Sequence, residues 1–155
     1  MPKKSVNNNN AAYRLIDANA NRLKEGLRVL EDISRFIAGE KRLTAEFKKI
    51  RHLVTEYMLH NTGVSPLEAL SQRQVRFDVG KKSIESELKR TDVLEIFSAN
   101  LQRVKESIRV LEEFFKLYDR KTALCFKKLR YRIYSLEKSS IEKVLNLCHN
   151  KSVRR

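Results

Sequence analysis

The 155-residue chain has no tryptophan, only four glycines, two prolines and two cysteines. So little glycine and proline argues against turn-rich sandwiches and barrels, and against a glycine-rich loop of the kind that cradles nucleotide phosphates. Cys125 and Cys148 lack the paired spacing of a zinc site and are too few for a disulfide framework, so they read as small core residues in a reducing compartment. No apolar run approaches the roughly 18 to 20 residues that span a bilayer. Met1-Pro2-Lys3-Lys4-Ser5 leads into Asn7 to Asn10 and not into an apolar signal segment, so a soluble cytoplasmic protein without membrane contact is expected. Acids are scarce as well: 19 Asp and Glu face 33 Lys and Arg, a formal net charge of +14. With 41% hydrophobic residues there is material for a core under this basic surface, which excludes a wholly disordered basic tail. One domain is expected at this length.

Four long segments carry apolar residues at helical spacing. The first, Ala11 to Ala38, aligns Leu15, Ile16, Leu23, Leu27, Leu30, Ile33 and Ile37, and Gly39 ends it. The second, Lys41 to His60, uses Leu43, Phe47, Ile50, Val54, Tyr57 and Met58. The third, Thr91 to Tyr118, starts from a Thr91 cap, and the fourth runs from Lys121 to Cys148. The expected fold is all-α: a tail over 1–10, a helical domain over 11–148 made of hairpins 11–60 and 91–148 joined by a linker over 61–90, and a basic tail over 149–155.

Ala18-Asn19-Ala20-Asn21-Arg22-Leu23-Lys24-Glu25-Gly26-Leu27-Arg28-Val29-Leu30-Glu31 can be laid over Ala99-Asn100-Leu101-Gln102-Arg103-Val104-Lys105-Glu106-Ser107-Ile108-Arg109-Val110-Leu111-Glu112 with nine of fourteen positions identical. Phe47-Lys48-Lys49-Ile50-Arg51 matches Phe126-Lys127-Lys128-Leu129-Arg130 in the same way. A duplicated hairpin predicts a four-helix bundle with a pseudo-twofold axis. The recurring polar residues are the informative ones. Asn19, Arg22 and Gly26 fall in or beside the apolar stripe, as do Asn100, Arg103 and Ser107, while Arg51 and Arg130 lie at stripe edges. A buried Asn or Arg costs several kcal/mol unless paired. Two readings follow. In one, Asn19 and Asn100 bond each other and fix the register while Arg22 and Arg103 reach outward to Glu partners. In the other, Arg22, Arg51, Arg103 and Arg130 line an anion pocket, since the guanidinium fork binds phosphate bidentately, with Asn19 and Asn100 orienting the ligand. Gly26 signals close approach by a neighbouring helix or a ligand.

Other groups carry less. Glu25 with Arg28, and Glu106 with Arg109, have the spacing of surface ion pairs. Glu31-Asp32 and Glu112-Glu113 read as solvated face or, failing that, as Mg²⁺ ligands. His52, His60 and His149 are dispersed. Lys127-Lys128-Leu129-Arg130-Tyr131-Arg132-Ile133-Tyr134 interleaves bases and aromatics as single-strand binders do, but Leu129 and Ile133 face the core and tyrosine is often a rim residue, so nucleic acid is the lesser reading.

The run Leu15 to Asp32 closely resembles a small helical family often fused to the N-terminus of thiamine phosphate synthase. The similarity continues through Ser98 to Glu113, Lys116 to Asp119 and Phe126 to Tyr134, and covers roughly residues 13 to 138. The resemblance implies a stand-alone hydroxymethylpyrimidine-phosphate kinase, which makes the pyrimidine diphosphate with ATP and Mg²⁺ in thiamine biosynthesis. On that implication Arg22, Arg103, Arg51 and Arg130 clamp phosphates, Asn19 and Asn100 orient the substrate, Glu25 or Glu106 with Asp78 hold the metal, and Arg73 closes over the nucleotide. The central loop departs from the family pattern, with Gln74 after Arg73 and Lys81 after Asp78-Val79-Gly80. Expected partners are the phosphorylated pyrimidine and nucleotide, thiamine phosphate synthase, and a second copy if the site spans a homodimer. The alternative is a non-catalytic basic module that binds RNA or a thiamine-pathway protein.

Overall fold

The computed structural model describes residues 4–74 and 89–152, with side chains over 9–74 and 89–146. The described secondary structure is helical throughout: α1 (Lys4–Asp32), a π-helical turn (Ile33–Ile37), α2 (Lys41–His60), α3 (Pro66–Ser71), α4 (Val93–Phe115) and α5 (Arg120–Ser152). α1 begins at Lys4, ahead of the expected Ala11, and α5 runs past the expected end at Cys148.

The stripe on α1 buries Ile16, Ala20, Leu23, Leu27 and Leu30 almost completely. It meets Leu43, Phe47, Ile50 and Val54 of α2, Phe97, Leu101, Val104, Ile108 and Leu111 of α4, and Phe126, Leu129 and Ile133 of α5 in one core. Each such side chain contributes about 1.5–3 kcal/mol by leaving water. Ring contacts lock the interior: Phe47 meets Phe97 edge-on at 6.1 Å, and Phe115 stacks on Phe126 at 5.5 Å. α1 packs against α2 and α4, and α4 against α5. α1 and α4 run antiparallel, since Tyr13 meets Tyr118 at one end while Gly26 lies against Asn100 and Val104 further along. A Cβ on Gly26 would sit 2.9 Å from Val104 Cγ2 and 3.2 Å from the Asn100 carbonyl oxygen, so its close neighbour is a helix.

The ends of the elements depart from the sequence reading for local reasons. After Asp32, Ser34 Oγ donates to the Leu30 carbonyl (2.8 Å), and the Ala38 amide reaches back five residues to Ile33 O (2.9 Å), which widens the helix into a π turn. Gly39, at φ +67°, then stops it. α3 lies within the expected linker: Ser65 Oγ accepts from the Glu68 amide and Pro66 occupies the first turn. The cap of α4 is Asp92, not Thr91. Its carboxylate accepts from the Glu95 amide (2.8 Å), and the Glu95 carboxylate accepts from the Thr91 amide (2.8 Å). Asp119 gathers five donors, from the amides of Thr62, Lys121 and Thr122 and the hydroxyls of Thr62 and Thr122, and so ties the α2–α3 connection to the start of α5. The backbone bond from the Thr62 amide and the other donors hold its carboxyl at about 2, against partial burial that pushes it up.

Candidate functional site

Two carboxylates are buried at matching places in the sequence repeat. Glu31 on α1 and Glu112 on α4 are each 3% exposed, which corrects the expectation that they belong to a solvated face. α2 supplies Arg51, whose Nε donates to Glu31 Oε2 at 2.9 Å. α5 supplies Arg130, whose Nε donates to Glu112 Oε2 at 2.7 Å and whose Nη2 donates to Oε1 at 3.4 Å. A second arginine one turn earlier on the carboxylate's own helix completes each cluster. Arg28 lies 3.5 Å from Glu31, and Arg109 donates to Glu112 at 3.0 Å. Arg28 and Arg109 therefore pair with acids that follow them, not with Glu25 and Glu106. Burial pushes the Glu112 carboxyl up, but the hydrogen bond from Arg130 and the charges of Arg130, Arg109 and Lys116 outweigh it and hold the group below its ordinary range. The same bond raises the Arg130 guanidinium. Arg51 and Arg130, expected as phosphate donors, thus neutralise internal carboxylates.

The second cluster carries an addition. Arg130 Cζ lies 5.0 Å over the Tyr131 ring and 5.7 Å over the Tyr134 ring, and its Nη1 donates to the Tyr134 hydroxyl at 3.4 Å. The corresponding positions after Arg51 hold His52 and Thr55.

The other expected residues sort differently. Asn19 is buried and its Nδ2 donates to Leu15 O at 2.9 Å, while Asn100 Nδ2 donates to Ile96 O at 2.8 Å. Each asparagine bonds its own helix, so they do not form the mutual register lock. Arg22, Glu25, Arg103 and Glu106 are all exposed. The antiparallel register sets the Arg22–Glu25 turn of α1 opposite the Arg103–Glu106 turn of α4. Gln102 Nε2 donates to Glu106 at 2.9 Å, whereas Arg22 and Arg103 have neither ion pair nor hydrogen bond among the described residues. The expected outward Glu partners of these two arginines are therefore not engaged. Arg73 makes a bidentate pair with Asp17 on α1, at 2.7 and 2.8 Å, and the adjacent Gln74 accepts from Arg14 at 2.8 Å. That anchors the end of the α3 segment along α1, and the Asp17 bond raises the Arg73 guanidinium. Asp78 lies outside the described residues. Among the described residues no three His, Cys, Asp or Glu side chains converge on one point. No helix among the described residues is long and apolar enough to cross a membrane.

A family model for the ThiD2 family matches residues 14–139. The chain belongs to the ThiD2 family. Its curated relatives include thiamine-phosphate synthases of Synechocystis sp. (40% identical over 82% of this chain and 35% of that protein), Nostoc sp. (37%, over 81% and 34%) and Rhodopirellula baltica (35%, over 79% and 32%). This ThiD2-family chain thus spans about a third of the length of the curated relatives it matches. No solved structure matches it. These relatives overturn the pyrimidine-phosphate kinase expected from the resemblance: they carry the name of a synthase and not of a kinase. The thiamine-pathway connection stands.

Proposed function

We propose that this ThiD2-family chain serves thiamine phosphate formation as a helical module that holds a phosphorylated molecule of the pathway against the α1/α4 seam. It would work beside a thiamine-phosphate synthase body of the kind that makes up the other two thirds of its relatives. The observation that carries this reading is the division of labour among four recurring arginines. Arg51 and Arg130 are spent on buried carboxylates, whereas Arg22 and Arg103 stand exposed and unpartnered among the described residues, on opposed turns of antiparallel helices. An arginine with all its donors free, held on a rigid helix, is suited to a phosphate. Glu25 and Glu106 on the same turns keep the seam from repelling the cationic part of a zwitterionic ligand, and Asn100 at its edge offers an amide oxygen. In this reading the four long helices form a four-helix bundle of two duplicated hairpins, and the pseudo-twofold axis brings the two arginines to one ligand.

Calorimetric titration tests it. Thiamine phosphate binds the wild-type chain, thiamine without phosphate binds at least tenfold more weakly, and Arg22→Ala or Arg103→Ala each removes about 1.5–3 kcal/mol of the phosphate's contribution. Equal binding of thiamine and thiamine phosphate, or full affinity in both variants, overturns the assignment.

A further inference from the structure

The tyrosine-flanked surface of α5 is not used by the reading above. Arg120, Leu124, Lys127, Tyr131, Tyr134 and Lys138 follow one another at three- and four-residue steps, and every one is exposed. They form a stripe about 27 Å long. It carries no acid, and Lys128 lies beside it, exposed as well. Among the described residues Arg120, Lys127, Lys128 and Lys138 have no carboxylate partner, although elsewhere on the same helix Arg132 pairs with Glu46 and Lys143 with Glu40 at 2.6 Å each. The acids that come nearest through Arg130 are already neutralised: Glu112 by Arg130 and Arg109, Glu113 by Arg109 and Lys116.

Within this stripe two aromatic rings are left in solvent, Tyr131 at 55% and Tyr134 at 42% exposure. They are not loose. The rings meet edge to face at 6.1 Å, and Arg130, itself fixed by Glu112, lies over both. Arg130 and the edge-to-face contact hold both rings in place, and the ring surface that remains exposed is free to take a stacked partner. Packing does not account for the tyrosines, because the first half forms the same Arg–Glu pair with His52 and Thr55 in their places.

We infer that this face binds single-stranded nucleic acid, with bases stacked on Tyr131 and Tyr134 and the backbone phosphates met by Arg120, Lys127, Lys128 and Lys138. The chemistry decides among anions. A small phosphorylated ring calls for a concave site, and this face is the outside of a helix. An acidic peptide would satisfy the lysines without using the open ring faces. A single strand uses both, since stacking and phosphate contact are how such proteins hold it without reading sequence.

The test is fluorescence anisotropy with a labelled single strand of about 12 nucleotides, a length within the range of single-strand sites. The wild-type chain binds at low salt, and Tyr131→Ala/Tyr134→Ala weakens binding about tenfold or more, as expected for loss of base stacking. Tyr131→Phe/Tyr134→Phe keeps the affinity, because the rings remain. Lys127→Ala/Lys128→Ala lowers the salt slope by about 1.4, at about 0.7 per phosphate contact. His52→Ala/Thr55→Ala, at the matching positions of the first half, changes nothing. All of these side chains are exposed, and unchanged circular dichroism confirms that each variant is folded. No binding at low salt, or equal affinity in the double tyrosine-to-alanine variant, overturns the inference. Displacement of the strand by polyglutamate at matched charge also overturns it, in favour of an acidic protein partner.

Discussion

The two halves of the molecule hold the same buried ion cluster in different settings. In the first half, Glu31 meets Arg51 through a single Nε bond, Arg28 stands off at 3.5 Å, and His52 and Thr55 flank the guanidinium position. In the second, Glu112 meets Arg130 through two nitrogens, Arg109 donates at 3.0 Å, and two tyrosines close over the guanidinium. What both halves keep is an internal lock between neighbouring helices. What only one half has, the aromatic cradle, is an elaboration of that lock. The helix ends differ in a parallel way: the Gly39 turn is closed by backbone conformation, and the Asp119 turn by a carboxylate that draws a second connection onto it.

This comparison can be broken by substitution. Glu112→Gln should be the most damaging change, costing about 3 kcal/mol in urea denaturation, because it leaves a largely buried Arg130 without its counter-charge. Glu31→Gln should cost about 2 kcal/mol, since Arg51 keeps more solvent, with 18% of its side chain exposed against 13% for Arg130. Equal costs would mean that the extra bonds of the second cluster add nothing.

At the Asp119 end, a Cβ on Gly63 would fall 2.6 Å from the Tyr118 backbone, which cannot rotate away, so Gly63→Ala should cost about 2 kcal/mol. Gly26→Ala gains about 1 kcal/mol of helix propensity but crowds both a Val104 methyl at 2.9 Å and the Asn100 carbonyl oxygen at 3.2 Å, so it should cost about 1 kcal/mol net in the same assay. Asp119→Ala should cost about 1 kcal/mol through loss of the cap. The cap also makes stability depend on pH. The Asp119 carboxyl sits at about 2 in the folded chain against an ordinary 3.8. Its contribution is therefore complete above 3.8 and is lost as pH falls from there through about 2, because the unfolded chain takes up the proton first. Melting curves across that window should show Asp119→Asn losing less stability than wild type. Arg22→Ala and Arg103→Ala should shift stability by no more than about 0.5 kcal/mol, as exposed residues without partners among the described residues do.

Much of this architecture is written in periodicity. The stripes of α1, α2, α4 and α5 and the stop at Gly39 follow from apolar spacing and one left-handed residue. α3 falls in the stretch expected as a linker: Ser65-Pro66-Leu67-Glu68 offers a cap, a first-turn proline and a third-position acid, but the segment is too short on apolar residues to show a period. The π turn was not legible, because Ser34 bonding back to Leu30 depends on the geometry of the helix end. Recurrence pointed to Arg51 and Arg130 without revealing their role. Glu31 and Glu112 close the repeated motif and recur just as faithfully, yet a carboxylate at the flank of a stripe is buried or solvated according to which helix packs beside it. That is a tertiary fact, and it is why the pairing of Arg51 and Arg130 with carboxylates could not be read from the repeat.

The separation of the arginines into locks and free donors can be read directly by NMR of the arginine Nε–H signals during a titration with inorganic pyrophosphate. Arg22 and Arg103 should shift together along one binding curve while Arg51 and Arg130, held by Glu31 and Glu112, stay in place. Shifts confined to Arg51 and Arg130, or no saturable shift at Arg22 and Arg103, would contradict the account.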